Sequence, residues 1–295
     1  LDGIHFEAVA FTNLSRDHLD YHANMEEYRN AKLRLFTDLL VDGGAAIVNV
    51  DDPEYEPFMF AALSANATLL TVGREGAYIE IISIKPEGYG QRVQIRHIGE
   101  LVDFHLNIPG EFQVSNALIA AALAMSSGVD KTRAFEALPT LVGAVGRLEL
   151  VAEHNGAAIF IDYSHKPEAL RTALTTLRPY TKNKLRVVFG CGGDRDKGKR
   201  PQMGAIAAEL ADEVIVTDDN PRTEDPASIR AQILAEAKGA KEIADRKKAI
   251  EAAVKSLQKG DVLLVAGKGH ETYQIIGTTK HHFSDHEVVA EAVKG

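Results

Sequence analysis

The chain has 295 residues, 45% of them hydrophobic, enough for about two ordinary cores at ~150 residues each. Lys+Arg 33 against Asp+Glu 42 leaves a net charge of -9, which excludes a broad nucleic-acid footprint but leaves room for local basic loops that hold a small anion. The single cysteine, Cys191, excludes an internal disulfide and fits a reducing compartment, and with no run of ~18 apolar residues and no signal peptide the chain reads as cytoplasmic, with no membrane partner.

Leu1-Asp2-Gly3 carries neither an initiator Met nor a leader, and Glu7–Thr12 already reads as a strand inside a domain, so a fragment is expected. The pattern continues with an amphipathic helix over Met25–Leu40, a strand at Ala45–Val50, a helix after Pro53 and a strand at Thr68–Val72. Between Tyr78 and Leu106 apolar and polar residues alternate, as in Arg92-Val93-Gln94-Ile95-Arg96. That predicts half-exposed antiparallel strands, with Pro86-Glu87-Gly88 as a turn. An Ala-rich helix over Gln113–Ser126 closes the first part, and the pattern resets near Gly143–Gly146.

From Leu148 onward the order is βαβαβα. Buried parallel strands are expected at Ala157–Ile161, Leu185–Phe189, Val214–Val216 and Val262–Ala266. Helices follow over Pro167–Leu177, Pro201–Ala211, Pro226–Ala237 and Asp245–Leu257, with prolines at three helix starts, where a missing N–H costs nothing. Ser284-Asp285-His286-Glu287 forms a capping box for the last helix. The expected architecture is α/β: residues 1–146 with an antiparallel β section, then 147–295 as a Rossmann-like domain with a mainly parallel sheet.

Four polar loops each follow one of those buried strands: Asp162-Tyr163-Ser164-His165, Gly190–Arg195, Asp219-Asn220-Pro221-Arg222 and Gly267-Lys268-Gly269-His270-Glu271. Ligands of open parallel sheets bind beyond the carboxyl ends of the strands, so all four loops are expected on one edge, forming a binding site. Gly193–Lys199 spells G-x-x-x-x-G-K, but Arg200 stands where a P-loop needs Ser or Thr to hold magnesium. The segment reads as an anion site supplied by Arg195, Lys197, Lys199 and Arg200, or as a solvated basic turn. In Asp219–Arg222 the proline rigidifies the turn, and a guanidinium at Arg222 can grip a carboxylate with two parallel hydrogen bonds; an ordinary Asn-Pro turn fits the tetrapeptide equally well. Glu271 between glycines can receive an ammonium, or merely end a tight turn. Asp162 and His165 suit a nucleotide ribose or phosphate, or a helix cap. Arg147 in Gly146-Arg147-Leu148-Glu149 suits a base or phosphate as well as a salt bridge, and Ser15–His22 suits a metal as well as a capped polar loop.

Together these residues resemble the Mur ligases, the ATP-dependent amide ligases that build the peptidoglycan stem peptide. The resemblance spans almost the whole chain. It is carried by Thr12–His22, Gly146–Glu149, Asp162–His165, Gly190–Pro201, Asp219–Arg222 and Gly267–Glu271, and within the family it points to the members that add the third residue to UDP-N-acetylmuramoyl-L-alanyl-D-glutamate. It implies a truncated central α/β domain and a C-terminal Rossmann-like domain. It implies His18 as a magnesium ligand and Lys32, once carbamylated, as a second. It implies ATP contacts at Asn116, Arg147, Asp162 and His165, and an incoming amino acid held by Arg195, Asp219, Asn220, Arg222, Gly267 and Glu271. Asp-Asn-Pro-Arg is the family's signature for meso-diaminopimelate rather than lysine, and Arg195 and Arg222 suit its extra carboxylate. The implied reaction is phosphorylation of the D-glutamate γ-carboxylate by ATP, attack of the amine on the acyl phosphate, and loss of phosphate, with Mg2+ and basic side chains neutralising charge. A monomer is expected.

Four departures accompany the resemblance. The family's P-loop lies upstream of where this chain begins, and no G-x-x-x-x-G-K-[ST] occurs here. The UDP-binding domain and an upstream acidic metal ligand are also absent, and Lys166 occupies a place where the family would have a small polar residue. As given, the chain is therefore expected to bind diaminopimelate but to turn over little or not at all. Rival readings are a ligase of the folylpolyglutamate synthetase type and a non-catalytic amino-acid or nucleotide-binding module. A nicotinamide-dependent dehydrogenase is disfavoured, because no strand is followed by G-x-G-x-x-G.

Overall fold

A computed structural model describes residues 3–14 and 21–295. The chain divides into two compact units, Leu1–Leu141 and Val142–Gly295. In the first, a six-stranded sheet is built from β1 (Phe6–Phe11), β2 (Leu40–Asn49), β3 (Thr68–Gly73), β4 (Ile79–Glu87), β5 (Gly90–His97) and β6 (Glu100–Leu106), neighbours in that order. The first four strands run parallel, and β4, β5 and β6 form the antiparallel section. The helices are α1 (Met25–Thr37), α2 (Tyr55–Ser64), α3 (Glu111–Ser126) and α4 (Lys131–Ala137).

Period-two alternation in β2 explains the two cores. Ile47 points into one cluster with α3 (Val114, Leu118, Ala122), while Ala46 and Val48 point into the other with Phe36 and Phe58. Phe11 stacks on Phe58 at 3.8 Å. Of the boundaries that differ from expectation, two bear on the packing. The first helix stops at Thr37, and Leu39-Leu40 supply apolar surface to the start of β2 rather than to a last turn. The hairpin turn sits after Glu87, because Pro86 and Glu87 still pair with Gln91 and Gly90.

The second unit comprises β7 (Glu149–His154), β8 (Ala157–Asp162), α5 (Pro167–Leu177), β9 (Leu185–Phe189), α6 (Lys199–Leu210), β10 (Glu213–Val216), α7 (Pro226–Leu234), β11 (Lys241–Glu242), α8 (Arg246–Lys255), β12 (Val262–Ala266), the hairpin β13 (Tyr273–Ile276) and β14 (Thr279–His282), and α9 (Asp285–Ala292). Its sheet runs β11-β10-β9-β12-β8-β7, and every pair is parallel except β7–β8. The chain leaves β8, steps outward through β9, β10 and β11, then returns to insert β12 between β9 and β8. That reversal makes a crevice at the carboxyl ends of the strands. The central strands β8, β9 and β12 are buried along their whole length and mostly apolar, because both faces are covered; α8 and α9 pack Ala249, Ile250 and Val289 against Ile159, Ile161, Leu263 and Val265. Ser284 accepts from the Glu287 N–H, as a capping residue should.

Candidate functional site

All four polar loops emerge from the carboxyl ends of β8, β9, β10 and β12 and are bonded to one another. The Gly267 N–H donates to the Asp162 carbonyl at 3.0 Å, and Lys199 Nζ donates to the His165 carbonyl at 2.8 Å. The Gly193 N–H donates to the Asn220 carbonyl at 2.9 Å, while Arg222 donates through Nη1 to the Gly193 carbonyl at 2.7 Å. Glycine is required where the loops cross. A Cβ at Gly193 would land on the Pro221 carbonyl, and one at Gly267 would sit 2.9 Å from Asp219 Oδ2 at a φ of +115.

Asp219-Asn220-Pro221-Arg222 lies at the centre. Asp219 and Asn220 are buried, at 8% and 4% exposure. Asp219 Oδ1 accepts from the Asn220 N–H at 2.7 Å, but Oδ2, pointed towards Gly267, has no hydrogen-bond partner among the described residues. The Asn220 amide is fixed at both ends: Nδ2 donates to Glu271 Oε2 at 3.1 Å, and Oδ1 accepts from Lys268 Nζ at 3.0 Å and from the Ile275 N–H at 2.9 Å. Arg222 has a φ of +51, held by its N–H to the Ile275 carbonyl at 3.1 Å and its carbonyl to the Gly277 N–H at 2.7 Å. The β13–β14 hairpin, which sequence reasoning missed, thus fixes the backbone of this arginine. Its strands are only four residues each, β13 (Tyr-Gln-Ile-Ile) half-buried and β14 polar and exposed, and Gly277 between them takes a positive φ.

The G-x-x-x-x-G-K segment corrects an expectation. Arg200 is fully buried and donates to Glu224 at 2.9 and 3.1 Å, to Gln232 and to the Gly192 carbonyl. Lys197 also pairs with Glu224, at 3.3 Å, and Lys199 donates to the His165 carbonyl. Hydrogen bonds from Arg200 and the Asp194 N–H pull the Glu224 carboxyl down to about 2. Of the four basic side chains only Arg195 remains exposed without an acidic partner among the described residues, its Nη1 3.4 Å from the Asp194 carbonyl.

Arg147 and Asp162 form a second cluster at the same edge. The guanidinium of Arg147 lies 4.8 Å over the Tyr163 ring, which also meets His165 at 4.6 Å and His270 at 5.3 Å. Asp162 accepts from the Leu148 N–H at 2.7 Å and from the Ser164 hydroxyl, so this buried carboxylate aligns the Gly146–Glu149 segment. Burial, the largest influence, pulls the His165 imidazole below its ordinary range, and it pushes the Tyr163 phenol up. Arg147 is exposed and available to an anion.

The remaining predicted residues lie in the first unit. Lys32 is half-buried, its Nζ 5.2 Å from the Tyr28 ring centroid, and it lines a cavity of about 390 Å³ with Thr12, Asn13, Phe36 and Phe58. Asn116 is exposed on α3 and bonds to Gln113 at 3.4 Å; it is not among the residues lining that cavity. His18 lies outside the described residues, as does most of Ser15–His22. Magnesium requires near-octahedral oxygen ligands. Among the described residues no group of three or more His, Cys, Asp or Glu is placed to hold a metal ion, and an unmodified lysine ammonium repels one. The described residues alone do not make a magnesium site.

Two family models match the chain: the Mur ligase middle domain over residues 1–124 and the Mur ligase glutamate ligase domain over residues 146–269. The chain belongs to the Mur ligase family. A UDP-N-acetylmuramoyl-L-alanyl-D-glutamate--2,6-diaminopimelate ligase from Agrobacterium fabrum is 51% identical to this Mur ligase chain over 294 residues, covering 99% of the chain and 60% of the relative. A solved structure bearing the same enzyme name aligns with a TM-score of 0.73 at 36% identity, over 99% of this chain and 61% of that one. The Mycobacterium tuberculosis folylpolyglutamate synthase shares the fold, with a TM-score of 0.69 over 88% of this chain and 61% of its own, at 20% identity. This Mur ligase chain thus spans about 60% of the length of the curated relatives it matches. No helix among its described residues is long and apolar enough to cross a membrane.

Proposed function

We propose that the chain supplies the amino-acid site and part of the nucleotide site of an ATP-dependent ligase that joins meso-diaminopimelate to UDP-N-acetylmuramoyl-L-alanyl-D-glutamate. The observation that carries this reading is the unspent chemistry around Asp219–Arg222. A buried carboxylate oxygen without a donor sits on the same tetrapeptide as an arginine that keeps most of its guanidinium donors. Arg195 and Glu271 add a second guanidinium and a second carboxylate. Two cations and two anions suit a ligand bearing both ammonium and carboxylate groups, and the second arginine favours one with an additional carboxylate. High identity to ligases named for diaminopimelate supports the same choice.

Arg147, on the segment aligned by Asp162, and His165 are assigned to the nucleotide; the assignment of Asn116 rests on the family resemblance alone. ATP would supply the phosphoryl group that turns the glutamate carboxylate into an acyl phosphate. The ligand's amine then attacks the acyl carbon, phosphate leaves, and the nitrogen loses a proton. Glu271 and Asp219 orient the ammonium end of the amino acid, and Arg195 and Arg222 its carboxylates, so the chain contributes mainly position. Magnesium ligation by His18 and by a carbamylated Lys32 rests on the family resemblance alone. A cytoplasmic monomer acting on small substrates, with no nucleic acid, fits the charge and the lack of a long apolar helix.

Calorimetric titration with meso-diaminopimelate and L-lysine tests this reading. Preferential diaminopimelate binding, weakened about 100-fold or more by Arg222→Ala, is expected from the loss of a charge-assisted pair. Equal affinity for lysine would overturn the assignment. Folate-dependent activity would favour the folylpolyglutamate type, which shares this fold at low identity.

A further inference from the structure

Lys268 is fully buried, although a lysine ammonium is costly to take out of water. Its Nζ donates to Asn220 Oδ1 at 3.0 Å and to the Tyr273 carbonyl at 2.6 Å, and lies 3.5 Å from Glu271 Oε2. A terminal amide can be placed either way round unless its partners decide. Here Lys268 and the Ile275 N–H both donate to Oδ1, so Nδ2 is turned to Glu271 Oε2 at 3.1 Å. One carboxylate oxygen of Glu271 is thereby engaged, and among the described residues no hydrogen bond engages Oε1.

We propose that Lys268 is a positioning residue of the amino-acid site, fixing the Asn220 amide and, through it, the Glu271 carboxylate that receives the ligand's ammonium. The proposal rests on the reading of these loops as that site. A methionine would fill the same space without burying a charge, so the ammonium is present for what it orients. Its effect passes through Asn220, and once Asn220 is removed the identity of residue 268 should cease to matter to the ligand.

A double-mutant cycle tests this on the 295-residue chain. Lys268→Met is expected to weaken meso-diaminopimelate binding at least about tenfold, Asn220→Ala by a similar factor, and the double variant by no more than the larger single effect. A role in packing alone predicts multiplying effects. Lys268→Gln, which keeps an amide donor, is expected to bind with intermediate affinity and serves if Lys268→Met fails to fold. Wild-type binding that Lys268→Met and Lys268→Gln leave unchanged would overturn the proposal. A wild-type chain that binds no diaminopimelate would instead count against the amino-acid reading. In that event the Asn220 side-chain amide protons decide by NMR: protection from exchange in the wild type that is lost in Lys268→Met or Lys268→Gln supports the positioning role, and protection retained overturns it.

Discussion

The two ends of the C-terminal unit's sheet both bury charge but treat it in opposite ways. At the amino end, Asp261 is fully buried and saturated: Oδ1 accepts from Asn183 Nδ2 at 2.7 Å and the Lys184 N–H at 3.1 Å, and Oδ2 from Arg186 Nε at 2.9 Å and the Gln258 N–H at 3.0 Å. Arg186 spends its remaining reach on Glu213 and Ser256. At the carboxyl end, among the described residues, Asp219 keeps an oxygen without a hydrogen bond, and Arg195 and Arg222 keep donors in hand. A saturated charge holds the fold together. An unsaturated one is held ready for something the chain does not contain.

The contrast breaks first at Asp261. Asp261→Ala strips a buried arginine of one of its two carboxylate partners and leaves the Lys184 and Gln258 N–H groups without their acceptor, and a loss of about 3–5 kcal/mol is expected by calorimetric unfolding. A loss below 1 kcal/mol would mean that the amino-end cluster is ornamental. Asp219→Asn sharpens the other side. It removes the unsatisfied charge while keeping the acceptor for the Asn220 N–H, so Tm should hold or rise as diaminopimelate affinity falls; a drop in both would show that Asp219 is structural. The smallest effect is at Glu224, which clamps the β9 and β10 loops together. Its carboxyl is held at about 2, below its ordinary 4.5, so its stabilisation is complete above pH 4.5 and is lost as the pH falls from there through about 2. The Tm of Glu224→Gln should therefore decline less than that of the wild type over this interval, and parallel curves would count against the clamp.

Much of this was legible in the sequence because apolar strand runs and the polar loops after them are local patterns. The loop at Asp219–Arg222 could be placed on the binding edge from its strand alone. What the residues could not show was which charges were spent. Arg195 and Arg200 lie five positions apart in one basic segment, yet one is exposed and the other buried against Glu224. Lys268 reads as an ordinary loop lysine until Asn220, 48 residues away in sequence, is brought beside it. The β13–β14 hairpin has strands of four residues each, one of them entirely polar and exposed, too short for a clear alternation to show. The nucleotide assignment of Asn116 and the metal assignments of His18 and Lys32 came from family resemblance rather than from periodicity.

The crossing of loops at glycines bears on how ligand preference can change by mutation. At Gly190, Gly193 and Gly267 a single methyl group would meet the backbone or carboxylate of the adjoining loop, at Gly190 the Thr217 carbonyl. The frame is therefore closed to stepwise drift, and new preferences must arise at the side chains it displays. A library randomised at Arg195 and Arg222 with the glycines held constant would explore the site's accessible chemistry, whereas one randomised at the glycines would yield mostly unfolded chains.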